Sequence, residues 1–216
     1  MGQDLNFEAI NPYPPIVFKA HYDGFTDEHI EISREILSNA PMGGTLSLEE
    51  GNARSSVYNQ QLPPHGHPAF KSFYDWQHKV AQYVMFEQLK LMSSMPYWIS
   101  NSWVNCHRKG GITLAHAHGM CALSITAYLT MPENGGYIEF KDPHFDLRSI
   151  HTHNNEEKSL FEWREVPAIT GDVLFFPGWL QHQTQPNQSD EERWVCTTNY
   201  VNVQHKKMPE QQRIVL

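Results

Sequence analysis

The period of apolar positions changes near residue 97. Before it, "TDEHIEISREILSNA" offers Thr26 as a capping residue, acids in the first turn, and Gly43 and Gly44 beyond its end, which predicts a helix. "HPAFKSFYDWQHKVAQYVMFEQLKLMS" carries Phe73, Val80, Val84 and Leu91 at steps of seven, four and seven, with Pro68 at its start, and predicts one long helix over 67–93. After residue 97 come short runs rich in β-branched and aromatic residues, bounded by Gly, Pro, Asn and Asp: "YWISNSWVNCH", "GITLAHAHG", "ALSITAYLTM", "GGYIEFKDP", "EWREVPAI", "GDVLFFPGW" and "ERWVCTTNYVNV". Strands in such number without helices between them predict a mainly β domain of antiparallel sheets, a sandwich or jelly-roll barrel. The N-terminal helices then pack outside one sheet, and inward-facing residues line a pocket at the open end. The expected organisation is a single domain over 1–216, with a mixed helical part at 1–96, the jelly-roll core at 97–204 and a tail at 205–216.

Composition narrows the setting more than the fold. A chain of 216 residues is long enough for one good core. The formal charge of −8, with no stripe of Lys or Arg, argues against non-specific nucleic-acid binding. No stretch is apolar enough to span a membrane, and the N-terminus lacks the layout of a signal peptide. Cys106, Cys121 and Cys196 form an odd, scattered set without a CxxC, which fits a reducing compartment, most simply the cytoplasm.

Thirteen histidines include three HxH pairs. His65 and His67 in "LPPHGHP", and His151 and His153 in "HTHNNEEK", read as solvent-facing loop residues. The middle pair differs. On a strand, Ile112, Leu114, His116 and His118 share one face, and an apolar face ending in two imidazoles needs a partner for them. A metal ion is one such partner, and His is its commonest ligand. His182, which follows the strand "GDVLFF", can join them because a jelly roll brings distant strands together. Arg193 heads "RWVCTTNYV", where it shares a face with Val195, Thr197 and Asn199, and a guanidinium in a pocket wants a carboxylate to grip.

Over residues 97–204 these features resemble the non-haem Fe(II)- and 2-oxoglutarate-dependent dioxygenases, particularly the prolyl-4-hydroxylase-like branch. The order matches: "SWVNC", the "HAH" pair, "LSITAYL", "ENGGYIEFKDP", "GDVLFFPGWLQH" and "ERWVCTTNYV". Tyr128, Leu129, Gly135, Gly136 and Phe140 form a distinctive set, as do Gly171, Asp172, Leu174 and Phe176 shortly before the last histidine. The resemblance implies a double-stranded β-helix. It makes His116 the first ligand of the HxD/E motif, His182 the distal histidine, and Arg193 the partner of the far carboxylate of 2-oxoglutarate. It also places Ser124, Asn105 and Tyr128 at the cosubstrate. Position 118 departs from the pattern, holding His where Asp or Glu is expected. The literal HxD of His144 and Asp146 lies after "GGYIEF" rather than before "YL", out of order for a ligand pair.

The implied activity is an oxygenase, of hydroxylase type, using Fe(II), 2-oxoglutarate and O₂. Three protein ligands on one face leave the opposite positions open for the cosubstrate and O₂. Trp103 and Trp179 are candidates for the substrate wall or for plain packing. The substrate, a peptide side chain or a small molecule, is not named by the sequence, nor is the oligomeric state. Three alternatives stand beside this reading. A cupin-like metal protein shares the barrel but leaves Arg193 without a role; a three-His zinc enzyme would use no 2-oxoglutarate; a non-catalytic jelly-roll binding protein would have lost the chemistry.

Overall fold

Runs that alternate between two environments fold as strands of two facing sheets. In the computed structural model, residues 16–40, 52–58, 61–145, 162–202 and 213–214 are described. The strands are β1 (Phe18–His21), β2 (Ala53–Ser55), β3 (Tyr97–His107), β4 (Leu123–Thr130), β5 (Ile138–Lys141), β6 (Trp163–Val166), β7 (Asp172–Phe176), β8 (His182–Thr184), β9 (Arg193–Val201) and β10 (Arg213–Ile214). The larger sheet runs β1-β7-β4-β9-β3-β10, with β2 also on β3, and the smaller one runs β6-β5-β8. All these pairings are antiparallel, as a jelly roll requires.

Each face of the larger sheet has its own task. On β4, Leu123, Ile125, Ala127 and Leu129 pack toward the helices, whereas Thr126 and Tyr128 face the barrel. β3 begins with Tyr97 and Ile99 on the helix side. A register shift between Ile99 and Asn101 then reverses the parity, so that Val104 and Cys106 hold the helix side and Trp103, Asn105 and His107 line the barrel. A bulge of one residue therefore decides which side chains of β3 reach the site.

Helix α1 (Asp27–Ser38) starts at Thr26, whose backbone N–H donates to His29 Nδ1 at 3.2 Å. Helix α2 (Lys71–Gln82) buries Phe73, Tyr74, Gln77 and Ala81, one face at helical spacing, against the outside of the larger sheet. Tyr74 Oη lies 3.3 Å from Thr198 Oγ1, and the Tyr200 hydroxyl meets His78 Nδ1 at 2.6 Å.

Two expectations need correction, and three short strands join the larger sheet from outside residues 97–204. The long helix over 67–93 is three segments: a 3₁₀ turn at Pro68–Phe70, α2, and a π-helical turn at Tyr83–Gln88, after which Lys90 turns away at φ 53°. The helical N-terminal part also supplies β1 and β2 to the larger sheet, and the tail supplies β10; four, three and two residues are too short to show a period. "GITLAHAHG" is no regular strand. It joins β8 through Thr184 N to Thr113 O at 3.0 Å and through a reciprocal His116–His182 pair at 2.9 Å. Three residue steps on one side thus oppose two on the other, which breaks the ladder.

Candidate active site

His116, His118 and His182 converge, one ring nitrogen from each lying within 4.8 Å of those of the other two. The alternation anticipated for a strand survives in the irregular segment: Leu114, His116 and His118 are half-buried while Ala115 and Ala117 are exposed. Backbone bonds pin both histidines of the pair, His116 N to His182 O at 2.9 Å and His118 N to Gly178 O at 2.7 Å. His182 lies on β8, its ring edge-on to Phe176 at 4.8 Å and backed by Phe140 at 6.1 Å.

Proton positions prepare this cluster for a metal. His116 Nδ1 donates to Leu114 O at 2.7 Å and His182 Nδ1 to Leu180 O at 2.9 Å, so each ring keeps its Nε2 lone pair for the shared centre. His118 Nε2 is buried with no hydrogen-bond partner among the described residues. Burial, helped by the neighbouring imidazoles, lowers His118 to about 4 and His182 to about 3; burial also lowers His116. All three are therefore neutral at pH 7, the state in which imidazole ligates. An orphaned buried nitrogen beside two lone pairs of fixed direction fits a nitrogen-preferring divalent transition metal.

A cavity of about 320 Å³ opens beside the cluster. Arg193, 1% exposed, lines its inner part. Its Nη1 donates to Gly135 O, Gly136 O and Gln185 O at 2.5, 2.6 and 3.3 Å, and its Nη2 to Thr184 Oγ1 at 3.1 Å. The paired glycines have a clear reason. Gly136 sits at φ +76°, and a Cβ there would meet Pro186 O at 2.6 Å, so the turn that offers two carbonyls to Arg193 excludes side chains. Arg193 Nε is buried without a partner among the described residues, and no carboxylate there lines the cavity. A buried cation with a free donor fits an anionic ligand.

The remaining expected residues divide. Asn105, Tyr128 and Trp103 line the cavity, Trp103 with its ring 5.8 Å from that of His118. Burial raises Tyr128 to about 12, so it stays a neutral phenol. Ser124 does not reach the cavity. Fully buried opposite Asn199, it donates to Asn199 Oδ1 at 2.8 Å and closes the sheet there, while Thr126, two residues along the same face, lines the cavity instead. Trp179 is 52% exposed and outside the lining. His65 is not a solvent-facing residue: its Nδ1 lies 2.7 Å from Ser102 Oγ, and burial lowers it to about 4. His67 is half-buried too, accepting from Ala69 N at 3.2 Å. His144 is near Asp142, while Asp146, His151 and His153 lie outside the described residues. The sequence reading missed His107 and Thr184, which also line the cavity; the pocket parity of β3 and the step from His182 to Thr184 were the available signals.

The 2OG-Fe(II) oxygenase family model matches residues 101–199, a span that includes His116, His118, His182 and Arg193. No curated protein matches by sequence. Among solved structures, the non-heme alpha ketoglutarate dependent epimerase SnoN from nogalamycin biosynthesis aligns at 16% identity and TM-score 0.58, over 85% of this chain and 77% of that one. A prolyl-4-hydroxylase from Pseudomonas putida aligns at 12% identity and TM-score 0.58, over 87% and 92%. HygX from Streptomyces hygroscopicus, solved with nickel and 2-oxoglutarate bound, aligns at 14% identity and TM-score 0.51, over 89% and 85%. At these identities the likeness to solved structures is one of fold, the double-stranded β-helix.

Proposed function

We propose that this chain is a 2OG-Fe(II) oxygenase in which His116, His118 and His182 hold the iron while Arg193 holds the far carboxylate of 2-oxoglutarate. The observation that carries the assignment is the pairing of three neutral, converging imidazoles with a buried guanidinium that has no carboxylate of its own among the described residues. When bound, iron and 2-oxoglutarate supply the activation of O₂, coupled to decarboxylation of the keto acid to succinate, by which this family oxidises C–H bonds.

The chain's own residues supply binding and position. Leu114 O and Leu180 O fix the tautomers of His116 and His182, and Phe140 and Phe176 hold the His182 ring from behind. The Gly135–Gly136 turn and Thr184 orient the Arg193 fork. Asn105 and Tyr128, from the cavity lining, would flank the cosubstrate, and Trp103, beside His118, would wall the substrate side. The reaction is a hydroxylation of a small molecule or a peptidyl side chain. The setting is the cytoplasm, a reading supported by three free cysteines; no described helix is long and apolar enough to cross a membrane.

The test is an anaerobic titration. Metal-free protein takes up Fe(II), then gains a weak visible charge-transfer band only when 2-oxoglutarate is added, and zinc abolishes the band. Iron uptake without the band overturns the cosubstrate assignment. No iron uptake overturns the metal assignment.

A further inference from the structure

Among the described residues, His107 is the one histidine of the cavity lining outside the three-histidine cluster. It stands directly across the β3–β9 register from Arg193 and is 3% exposed. Its Nε2 is 2.8 Å from Thr113 Oγ1, while its Nδ1 is buried with no partner among the described residues. Arg193 Nε shares that condition. Two neighbouring side chains thus each hold one unspent nitrogen in the same wall. A buried polar atom left unpaired costs stability, so a pair of them marks a place where a ligand completes the bonding.

The local network settles what these atoms offer. Thr184 Oγ1 already accepts from Thr113 N at 2.8 Å and from Arg193 Nη2 at 3.1 Å, so both its lone pairs are used and its proton is free to donate. Thr113 Oγ1 has no acceptor other than His107 Nε2 among the described residues. In the tautomer in which Thr113 donates there, the His107 proton sits on Nδ1. Burial and the Arg193 charge both hold the ring neutral, so it carries that single proton. With that tautomer, Arg193 Nε–H, His107 Nδ1–H and Thr184 Oγ1–H are three donors without an acceptor among the described residues, on side chains that share one cavity lining, a combination that suits an anion.

We propose that His107 is a second grip on the far carboxylate of 2-oxoglutarate, held in its donating tautomer by Thr113, and that with Arg193 it selects a dicarboxylic keto acid over a monocarboxylic one. The proposal rests on the oxygenase reading above. It adds a binding residue, His107, and a positioning residue, Thr113.

The experiment measures the binding of two keto acids to Fe(II)-loaded protein under argon, by charge-transfer band and calorimetry. 2-Oxoglutarate carries the far carboxylate and 2-oxobutanoate lacks it. His107→Leu is expected to raise the 2-oxoglutarate Kd about 10- to 100-fold, the scale of one hydrogen bond to a charged group, and to leave 2-oxobutanoate unchanged. His107→Asn, which keeps a donor near the Nδ1 position, should retain most of the affinity. Thr113→Val should give a smaller loss of the same kind. Equal changes for both keto acids, or none for 2-oxoglutarate, would overturn the proposal. If His107→Leu does not fold, Thr113→Val decides: an unchanged ratio of the two Kd values rejects the role. A wild-type protein that binds iron but neither keto acid rejects the oxygenase assignment instead, a result distinct from wild-type selectivity that survives in His107→Leu.

Discussion

Arg193→Met separates the task that the structure shows for this side chain, holding the Gly135–Gly136 turn, from the one proposed for it, holding the cosubstrate. The substitution keeps the aliphatic stem and removes the fork, stranding Gly135 O, Gly136 O, Gln185 O and Thr184 Oγ1. Each buried acceptor left unmade costs about 1–3 kcal/mol, and relief of the buried charge returns part of that. The net loss for the metal-free, ligand-free protein is about 2–4 kcal/mol, or roughly 5–15 °C in Tm for a chain of this length. The second task is ligand-dependent. At 2-oxoglutarate concentrations about 100 times Kd, binding adds about 2.7 kcal/mol, roughly 5–10 °C, to the iron-loaded wild type. Arg193→Met should lose that increment, and Arg193→Lys, which keeps the charge without the fork, should recover part of it. Thermal unfolding under argon, with and without the keto acid, measures both terms. A variant that melts at the wild-type temperature would show that the fork does not hold the Gly135–Gly136 turn. A variant that keeps the full ligand increment would show that the far carboxylate binds elsewhere.

Other expectations follow from particular contacts. His116→Ala and His182→Ala should each abolish iron uptake, and persistence of the charge-transfer band in either would remove it from the ligand set. His118→Asp should bind iron at least as well as wild type while weakening 2-oxoglutarate, because it adds a negative charge beside a dianion; a loss of iron uptake would argue against position 118 as a ligand position. Gly178→Ala touches no ligand side chain, yet its Cβ would stand 2.4 Å from Cys121 O and 2.6 Å from His118 O. It should push the His118 segment away and weaken iron about tenfold, the scale of losses from residues that orient ligands; unchanged affinity would show that the segment yields freely. Asp172 gives a pH signature. Burial pushes its carboxyl up, but the His21 hydrogen bond, the Ile169 N–H and Lys19 together hold it below the ordinary value, and that hydrogen bond raises His21. The Asp172 contribution is present above about pH 4 and lost as pH falls through its folded value, while that of His21 is present below about 6.5 and lost as pH rises through its folded value. Asp172→Asn should flatten both limbs of Tm against pH, and curves parallel to wild type would refute the coupling.

Legibility in the sequence followed the length of each element. The eleven residues of β3, the eight of β4 and the nine of β9 carry enough alternation to be read, and they form the wall on which the site is built. β1, β2 and β10 are held by partners far along the chain, so their own residues carry little signal. The π-helical turn after α2 continues a helical apolar pattern with a different hydrogen bond, and periodicity does not separate the two. Two motifs took on a physical meaning only with the fold. Gly171, at φ +92°, donates its N–H to Tyr128 O, and Asp172 then accepts from Ile169 N, so "GD" is a corner that launches β7. "GG" is the turn that cups Arg193.

The site divides along the same line, between what alternation can show and what the fold decides. Parity correctly sends Ser124, Thr126 and Tyr128 to one face of β4, but only the fold separates Ser124, bonded to Asn199, from the two that reach the cavity. His107 was hidden for a related reason. It shares the parity of Asn105, but its importance depends on standing opposite Arg193, which only the register of β3 against β9 shows. Position 118 is the case in which the sequence departed from a pattern and the structure supplies a physical setting. On the proposed ligand set, with imidazole instead of carboxylate, three neutral ligands would leave both charges of a divalent ion uncompensated, and Arg193 adds a third positive charge. No Asp or Glu among the described residues lines the cavity to offset them. A keto acid with two carboxylates can meet the ion at one end and the guanidinium at the other, cancelling two of the three charges, where a monoacid cancels one. On that ligand set the His118 exchange would strengthen the electrostatic preference for a dianionic cosubstrate, and the unpartnered nitrogens of His107 and Arg193, on residues paired across β3 and β9, are the groups proposed to hold its second carboxylate.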